Sequence, residues 1–103
     1  MEVTRFCVPA DHPAARGHFP GNPIVPGAVL LSAALQAIEA ATNTQLSPCR
    51  IKSAKFFRTV RPGDTVAVEY SRLDAMGIRF SGNVDGKIVL TGHVQCNLKT
   101  QGA

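Results

Sequence analysis

The segment Gly27–Ala41 constrains the fold more than any other, because it predicts a helix that is apolar on nearly every side. Its sequence, GAVLLSAALQAIEAA, is rich in Ala and Leu, which favour helices. Pro26 is compatible with the helix start, where the first N–H groups have no intrahelical partner, and Asn43 can end the helix in a left-handed conformation. One narrow stripe of polar residues interrupts the apolar surface: Ser32, Gln36 and Glu39. A helix of this kind is usually buried, so we expect other elements to wrap around it.

The rest of the chain predicts antiparallel strands that can provide this cover. The predicted strands are Glu2–Val8, Arg50–Phe57, Thr65–Leu73, Gly77–Val84 and Lys87–Lys99. The last strand alternates polar residues with an apolar set comprising Ile88, Leu90, Val94, Cys96 and Leu98. Asp85-Gly86 is a strong signal for a two-residue hairpin, and further turns are predicted at Arg61–Asp64 and Asp74–Gly77. We therefore expect an α+β fold in which one curved antiparallel sheet packs around one long helix.

The composition limits the class of protein. A length of 103 residues fits a single domain over residues 1–103, and 45% hydrophobic with 17% charged residues is typical of a globular chain. Three cysteines without a CxxC pair argue against a disulfide framework or a zinc site and favour a reducing compartment. The first residues lack a secretory signal pattern, and the longest uncharged stretch contains three prolines. We therefore expect a cytoplasmic protein without a membrane span.

The loop before the helix, Pro9–Pro26, is the most informative region for function. It holds five prolines and two glycines in eighteen residues, which favours an ordered loop over a helix or a strand. His18 lies in this loop, and histidine has the ordinary pKa closest to neutral pH. The free N–H groups of the helix near Gly27 can stabilise a negatively charged oxygen. A base beside such a site suits proton abstraction next to a carbonyl or thioester, and a structural histidine in a turn fits the same spacing.

Two motifs resemble those of the 3-hydroxyacyl-[acyl-carrier-protein] dehydratases of fatty acid synthesis. The first is HFPGNPIVPG at residues 18–27, followed by the apolar helix with Gln36, and the second is AKFFRTVRPGD at residues 54–64. Together with the strand pattern, they cover nearly the whole chain. The resemblance implies a hotdog fold, in which an antiparallel sheet wraps a long helix. It also implies dimers with active sites at the subunit interface, a thioester substrate on acyl carrier protein or coenzyme A, and no metal or organic cofactor.

The resemblance further assigns roles to individual residues. His18 matches the base that removes the C2 proton of the acyl thioester, and Gly27 matches the backbone N–H donor to the thioester oxygen. The implied substrate-binding residues are Phe19, Pro26, Ser32 and Gln36. Ser32 stands where the family has a Glu or Asp, on the helix of the other subunit, that protonates the departing hydroxyl. A hydroxyl near its ordinary pKa cannot act as a general acid in the way a carboxylic acid does.

The serine leaves two interpretations open. The chain is either a dehydratase that works without the carboxylate, with Ser32 holding a water or the substrate hydroxyl, or an incomplete subunit that pairs with an active homologue. Glu39, two turns along the helix, is a weaker candidate for the missing acid, and the absent carboxylate also disfavours a hotdog thioesterase. A basic run comprises Arg50, Lys52, Lys55, Arg58 and Arg61. This run is either a solvated face or a docking patch for an acidic carrier protein, and no nucleic-acid partner is expected.

Overall fold

The computed structural model describes residues 2–8, 25–46, 49–72, 77–96 and 99–100. The elements, in chain order, are β1 (Glu2–Cys7), α1 (Gly27–Thr42), β2 (Thr44–Gln45), β3 (Cys49–Phe56), β4 (Thr65–Arg72), β5 (Gly77–Val84), β6 (Lys87–Cys96) and β7 (Lys99–Thr100). The predicted helix and the five predicted strands are confirmed, with ends that differ by a few residues at most. His18 and Phe19 lie outside the described residues, as do most of the Pro9–Pro26 loop and of the Asp74–Gly77 turn.

The five long strands form one antiparallel sheet in the order β1-β4-β5-β6-β3, while β2 and β7 pair with each other separately. Alternation along the central strands turns their apolar residues to one side of the sheet. Buried members of this side include Val66, Val68, Ile78, Phe80 and Val94. They form one core cluster with the buried residues of α1. This is the α+β arrangement of one sheet against one helix that the sequence predicts.

The turn between β5 and β6 follows directly from its two residues. Asp85 has a φ of 52° and Gly86 a φ of 79°. A two-residue hairpin with the right-handed twist of its strands needs positive φ at both positions, and Asp and Gly tolerate this conformation better than most residues. The predicted Asp85-Gly86 hairpin is confirmed.

Helix α1 begins and ends as its sequence predicts. Pro26 occupies the N-cap without a side-chain cap, and Asn43 closes the helix in the left-handed conformation with φ 50° and ψ 41°. The buried face consists of Leu30, Leu31, Ala34 and Ile38. On the remaining surface of the helix, Ala28, Ala40 and Ala41 are exposed. A sheet with one apolar face covers only one side of a helix.

The predicted alternation of the last strand fails at its beginning. Gly82 pairs with Leu90 and Asn83 pairs with Ile88, which leaves Val89 as an extra residue in β6. A β-bulge of this kind shifts the side-chain alternation by one position. As a result Val89 is buried and Ile88, predicted to face the core, is 49% exposed. The strand then ends at Cys96 instead of Lys99, and the separate strand β7 pairs with β2.

Strand β3 lies at one edge of the sheet and leaves most of its side chains exposed. A register shift between Ile51 and Ser53 places a second bulge at Lys52. The exposed residues include two large apolar ones, Ile51 and Phe56. Edge strands with bulges and charged side chains are a common way to limit unwanted strand pairing.

No helix within the described segments is long and apolar enough to cross a membrane. Within the same segments, His, Cys, Asp and Glu side chains do not gather in groups of three or more that could hold a metal ion.

Candidate active site

The turn at residues 60–64 fixes both flanks of the segment that carries His18. The N–H of Gly63 donates to the carbonyl of Val8 at 2.7 Å, and this residue directly follows β1. On the other flank, the N–H of Val25 donates to the carbonyl of Val60 at 2.7 Å. The turn itself is closed by the N–H of Asp64, which donates to the carbonyl of Arg61 at 3.0 Å, and Gly63 adopts a φ of 95°. The residues on either side of segment 9–24 are therefore both hydrogen-bonded to one short turn.

The second sequence motif supplies this turn, which gives the motif a physical role. Pro62 and Gly63 suit the two central positions of a turn whose third residue needs positive φ. The carboxylate of Asp64 also accepts the N–H of Arg61 at 3.0 Å, so the Asp side chain reinforces the turn that its backbone closes. The predicted turn at Arg61–Asp64 is confirmed, and it connects the two motifs in space.

The helix N-terminus presents backbone N–H groups that have no partner within the helix. The first intrahelical hydrogen bond runs from the N–H of Leu30 to the carbonyl of Pro26 at 3.0 Å. The N–H groups of the preceding helical residues, including Gly27, have no acceptor within the helix, and no described side chain caps them. Such donors, at the positive end of the helix dipole, favour a negatively charged oxygen.

The ring of Phe56 lies directly against Gly27. A Cβ atom added at Gly27 would lie only 3.1 Å from Cζ of the ring, closer than the usual contact distance. Phe56 ends β3 and belongs to the second motif, so the ring reaches from the sheet edge across the helix start. Glycine at position 27 permits this approach. Phe56 belongs to a sequence motif, but its role cannot be predicted from the sequence because the contact joins residues far apart in the chain.

A groove of about 570 Å³ extends along α1 beside β3. Its apolar lining comprises Ala28, Leu31, Leu35, Leu46, Cys49 and Ile51. The polar stripe predicted on the helix lines the same groove: Ser32, Gln36 and Glu39. Apolar walls with a few polar groups at defined positions are typical of sites that bind a ligand with an apolar chain and a polar end. A second groove, of about 390 Å³, lies on the other side of Gln36, between α1 and β1.

Ser32 and Gln36 act as a pair one helical turn apart. The amide nitrogen Nε2 of Gln36 donates to Oγ of Ser32 at 3.4 Å. Because the serine oxygen accepts this bond, its own hydrogen stays available to donate to a group in the groove. Both side chains are exposed to solvent, so a ligand can reach them.

Glu39, the weaker candidate for the missing acid, has a structural partner. Its Oε2 accepts the backbone N–H of Leu46 at 2.8 Å, which ties the end of α1 to the segment after β2. Burial of Leu46 makes this N–H costly to leave unpaired. A carboxylate that satisfies a backbone donor is poorly placed to move protons on a ligand. The sequence cannot predict this bond because β2, which brings Leu46 back to the helix, is only two residues long.

The basic run follows the exposed edge of the sheet. Its five members are all exposed: Arg50, Lys52, Lys55, Arg58 and Arg61. They extend along β3 and continue to the turn at residues 60–64, close to Phe56 and the helix start. The positive charge therefore lies at the same end and edge of the molecule as the groove beside β3.

The structure brings four of the six predicted site residues onto one helix and its cap. Pro26 and Gly27 form the helix start, while Ser32 and Gln36 line the groove that begins beside it. The two others, His18 and Phe19, lie outside the described residues. The loop that carries them is held at both flanks by the turn next to this helix start.

Comparison with known proteins gives a consistent result. A family model described as ApeI-like, ApeI dehydratase, matches residues 2–93. The 3-hydroxyacyl-[acyl-carrier-protein] dehydratase FabZ of Latilactobacillus sakei subsp. sakei (strain 23K) is 34% identical over 103 residues, covering 89% of this chain and 74% of that protein. FabZ of Actinobacillus pleuropneumoniae serotype 5b (strain L20) is 36% identical over 105 residues, covering 89% of this chain and 68% of that protein.

Solved structures share the fold at low sequence identity. The dehydratase heterocomplex ApeI:P from Xenorhabdus doucetiae matches with a TM-score of 0.71 and 21% identity, over 91% of this chain and 85% of that chain. The fluoroacetyl-CoA thioesterase FlK matches with a TM-score of 0.63 and 12% identity, over 96% of this chain and 84% of that chain. The hotdog fold implied by the motifs is thus confirmed. With a family match over residues 2–93 and a relative 34% identical over 89% of the chain, the chain belongs to the ApeI-like family of hotdog dehydratases.

Proposed function

We propose that this protein dehydrates 3-hydroxyacyl thioesters to trans-2-enoyl thioesters in fatty acid synthesis or a related lipid or polyene pathway. The observation that carries the proposal is the groove along α1, which starts beside uncapped helix N–H groups and contains the Ser32–Gln36 pair. A 3-hydroxyacyl thioester needs each of these features. Its carbonyl takes a hydrogen-bond donor, its hydroxyl takes a polar partner, and its acyl chain takes an apolar wall.

In this proposal each group acts at a stated atom of the substrate. His18 removes the C2 proton, and the N–H of Gly27 donates to the thioester oxygen, on which negative charge develops. Ser32 on the helix of the second subunit, held there by Gln36, donates to the 3-hydroxyl group. Phe19 and Pro26 contact the substrate near the helix start, and the apolar groove takes the acyl chain. No metal ion or organic cofactor is required.

The serine sets the expected rate. General acid help at a leaving group is typically worth ~10²–10⁴ in rate, and a hydroxyl donor supplies only a hydrogen bond. We therefore propose a dehydratase that is slower than relatives with a carboxylate at this position. Glu39 does not replace the missing acid, since its carboxylate accepts the N–H of Leu46.

A specific observation favours a second candidate function. Ser32 lines the groove at the position where the resemblance implies a carboxylic acid, and the exposed surface of α1 leaves room for a second subunit. The solved complex from Xenorhabdus doucetiae is a dehydratase heterocomplex by its name. In this alternative the chain is a catalytically incomplete hotdog subunit that pairs with an active homologue, or that binds acyl thioesters without converting them. The first proposal needs a homodimer, and pairing with an active homologue needs a heterodimer.

The positive charge along β3 indicates which molecule carries the acyl substrate. The relatives are named for acyl carrier protein, and an acidic carrier complements the exposed basic run along β3. We propose acyl carrier protein as the partner, with coenzyme A as the alternative carrier, and neither nucleic acid nor a membrane as a binding partner. We further propose that residues 1–103 form one domain and that the protein is cytoplasmic, in keeping with its unpaired cysteines.

Formation of the conjugated enoyl thioester, followed by ultraviolet absorbance, tests the proposal. The native chain is mixed with 3-hydroxyacyl-pantetheine or 3-hydroxyacyl carrier protein, beside three variants: His18→Ala, Ser32→Glu and Glu39→Gln. We expect turnover by the native chain, a loss of ~10² or more in His18→Ala, and a gain in Ser32→Glu. Glu39→Gln is the matched control on the same helix stripe and is expected to keep native turnover.

The outcomes separate the two candidates. If the native chain shows no turnover and Ser32→Glu does, the incomplete-subunit hypothesis would replace the dehydratase hypothesis. If neither the native chain nor any variant forms the enoyl thioester, while circular dichroism shows that all are folded, dehydration by this chain would be contradicted. Substrate binding measured by calorimetry would then decide whether thioester recognition remains.

A further inference from the structure

Two cysteines are directly opposed on neighbouring strands of the sheet, at the end of the groove. Cys49 is the first residue of β3, and Cys96 is the last residue of β6. They are direct partners in the antiparallel pairing of these strands. Both are free thiols. Their side chains point to the same side of the sheet, because directly opposed residues of an antiparallel pair do so.

Their spacing lies within reach of a disulfide. Opposed residues in antiparallel strands have Cα atoms about 4.5 or 5.5 Å apart, and disulfides usually join Cα atoms about 4.4–6.8 Å apart. The Cβ atoms of opposed residues are about 4.5–5.5 Å apart, slightly more than the roughly 3.5–4.5 Å of disulfides. The required approach is small, and Cys49 begins an edge strand, where backbone movement disturbs few neighbours.

The two thiols differ in their access to solvent. Cys49 is half-buried and lines the groove, whereas Cys96 is only 3% exposed and belongs to the core. Burial, then the neighbouring Cys49 thiol and the charge of Glu39, raise the pKa of Cys96 to about 12. Cys96 therefore stays a protonated thiol and is a poor first target for an oxidant. Cys49 is the sulfur that a small solute in the groove meets first.

We propose that Cys49 and Cys96 form an oxidative modification site, which a peroxide converts to a reversible cross-strand disulfide. In the first step an S–O bond forms at Cys49 while the O–O bond of the peroxide breaks, giving a sulfenic acid and, from hydrogen peroxide, one water. In the second step the Cys96 sulfur attacks the Cys49 sulfur. An S–S bond forms, the S–O bond breaks, and the thiol proton of Cys96 leaves with the hydroxide as a second water. The two sulfurs lose the two electrons that reduce the peroxide.

The modification would act on the groove and does not depend on the proposed reaction. Cys49 lines the groove beside Ile51 and Glu39, so joining its sulfur to Cys96 draws the start of β3 inward at the groove wall. A disulfide that requires such a shift is easier to reduce than an unstrained one. The pair thus gives the groove two covalent states that the redox conditions select.

Cys7 provides an internal control. It is exposed and lies in β1, at the opposite edge of the sheet from β3. Its sulfur contacts the carbonyl oxygen of Gly63 at 3.6 Å and has no cysteine partner among the described residues. If exposure alone determined reactivity, a peroxide would oxidise Cys7 before Cys49 and Cys96.

Peptide mapping after oxidation tests the proposal. The purified chain is treated with hydrogen peroxide, alkylated with iodoacetamide, and digested with trypsin under non-reducing conditions. We expect one cross-linked peptide that joins residues 17–50 to residues 88–99, and an alkylated Cys7 in the peptide 6–16. Free thiols per chain should fall from three to one, and dithiothreitol should restore all three.

Two variants keep the result interpretable if a core substitution unfolds the protein. Cys7→Ser should leave no free thiol after oxidation, and Cys49→Ser, which changes a half-buried edge residue, should keep both of its thiols. A Cys49 oxidised to sulfinic acid beside an alkylated Cys96 would overturn the proposal. So would cross-links that involve Cys7 or that join two chains on a non-reducing gel. Because the readout is covalent mass, it is unaffected by whether the chain turns over a thioester.

Discussion

At the scale of single residues, the contact between Phe56 and Gly27 determines what the helix start can accommodate. The ring occupies the volume that a side chain at position 27 would need, 3.1 Å from the ideal Cβ position. An alanine is a better helix former than glycine by up to about 1 kcal/mol, so packing opposes the substitution here while helix propensity favours it. The glycine is therefore explained by its neighbour as well as by any ligand that approaches its N–H.

A double-mutant cycle measures this opposition. Gly27→Ala should be less favourable in the native background than in a Phe56→Leu background, where the shorter side chain removes the close contact. We expect a difference of about 1 kcal/mol in the free energy of unfolding, measured by urea denaturation. Equal effects in the two backgrounds would show that the ring does not restrict position 27.

The buried thiol of Cys96 couples folding to pH. Its pKa is raised from 9.0 to about 12, chiefly by burial, so the folded state keeps a proton that the unfolded state releases above about pH 9. The stabilisation is complete below pH 9 and declines as the pH rises from 9 towards 12. The free energy of unfolding should fall by at most about 1.4 kcal/mol per pH unit in this window.

Urea denaturation at pH 8, 9 and 10 in the presence of a reductant measures this slope. Cys96→Ala should show a flatter dependence than the native chain over the same range, whatever its stability at pH 8. Cys7→Ser, which removes an exposed thiol, should retain the native slope. Parallel curves for the native chain and Cys96→Ala would assign the pH dependence to another group.

At the scale of elements, the two β-bulges determine which side chains the sheet turns outward. The bulge at Val89 turns Ile88 to solvent and Val89 into the core, and the bulge at Lys52 falls in the edge strand β3. Bulges at sheet edges re-aim side chains and increase the local twist. Here one of them also exposes an isoleucine next to the end of β3, where the N–H of Phe57 donates to the carbonyl of Val89 at 2.8 Å.

Alanine substitutions at adjacent positions test the bulge in β6. Val89→Ala should lower the free energy of unfolding by about 2 kcal/mol, because it removes two buried methyl groups and leaves a cavity. Ile88→Ala should change stability by no more than about 0.5 kcal/mol, as expected at an exposed position. Chemical denaturation of the two variants gives the comparison. A larger loss of stability in Ile88→Ala than in Val89→Ala would contradict the bulge and support the regular alternation that the sequence predicts.

The same elements show how far sequence reasoning reaches. Periodicity predicts the helix and the strands correctly, and local chemistry predicts the Asp85-Gly86 hairpin and the Asn43 cap, because these signals act between neighbouring residues. An inserted residue such as Val89 carries no local signal. The bond from Leu46 to Glu39 and the ring of Phe56 at Gly27 depend on tertiary packing. The site is therefore predicted as a list of helix residues, whereas the wall that β3 adds to it is not.

At the scale of the whole molecule, exposed apolar side chains are concentrated along one edge. Ile51, Phe56 and Phe57 lie on or next to β3, and Ile88 lies beside them. Concentrated apolar exposure on a folded chain marks an interaction surface. It adjoins the groove and the exposed side of α1, so a second hotdog subunit seated there would cover both and complete the site walls.

Substitutions at two equally exposed residues test this surface. In the dimer that the proposed function requires, Ile51→Glu should shift sedimentation velocity towards the monomer, because it places a charge in the surface beside the groove. Val3→Glu is the matched control, since Val3 is 50% exposed and Ile51 51% exposed, but Val3 lies in β1 at the opposite edge of the sheet. Ile51→Glu that sediments like the native chain would exclude this edge as the subunit contact.

The turn at residues 60–64 has a consequence for how such a protein can diversify. Because Val8 and Val25 both hydrogen-bond to this turn, the backbone frame on either side of residues 9–24 is closed without them. A single change in the turn therefore disturbs two elements at once, the end of β1 and the start of α1, because each is held there by a backbone hydrogen bond. In a lineage that diversifies, the turn is accordingly a poor place for insertions and deletions.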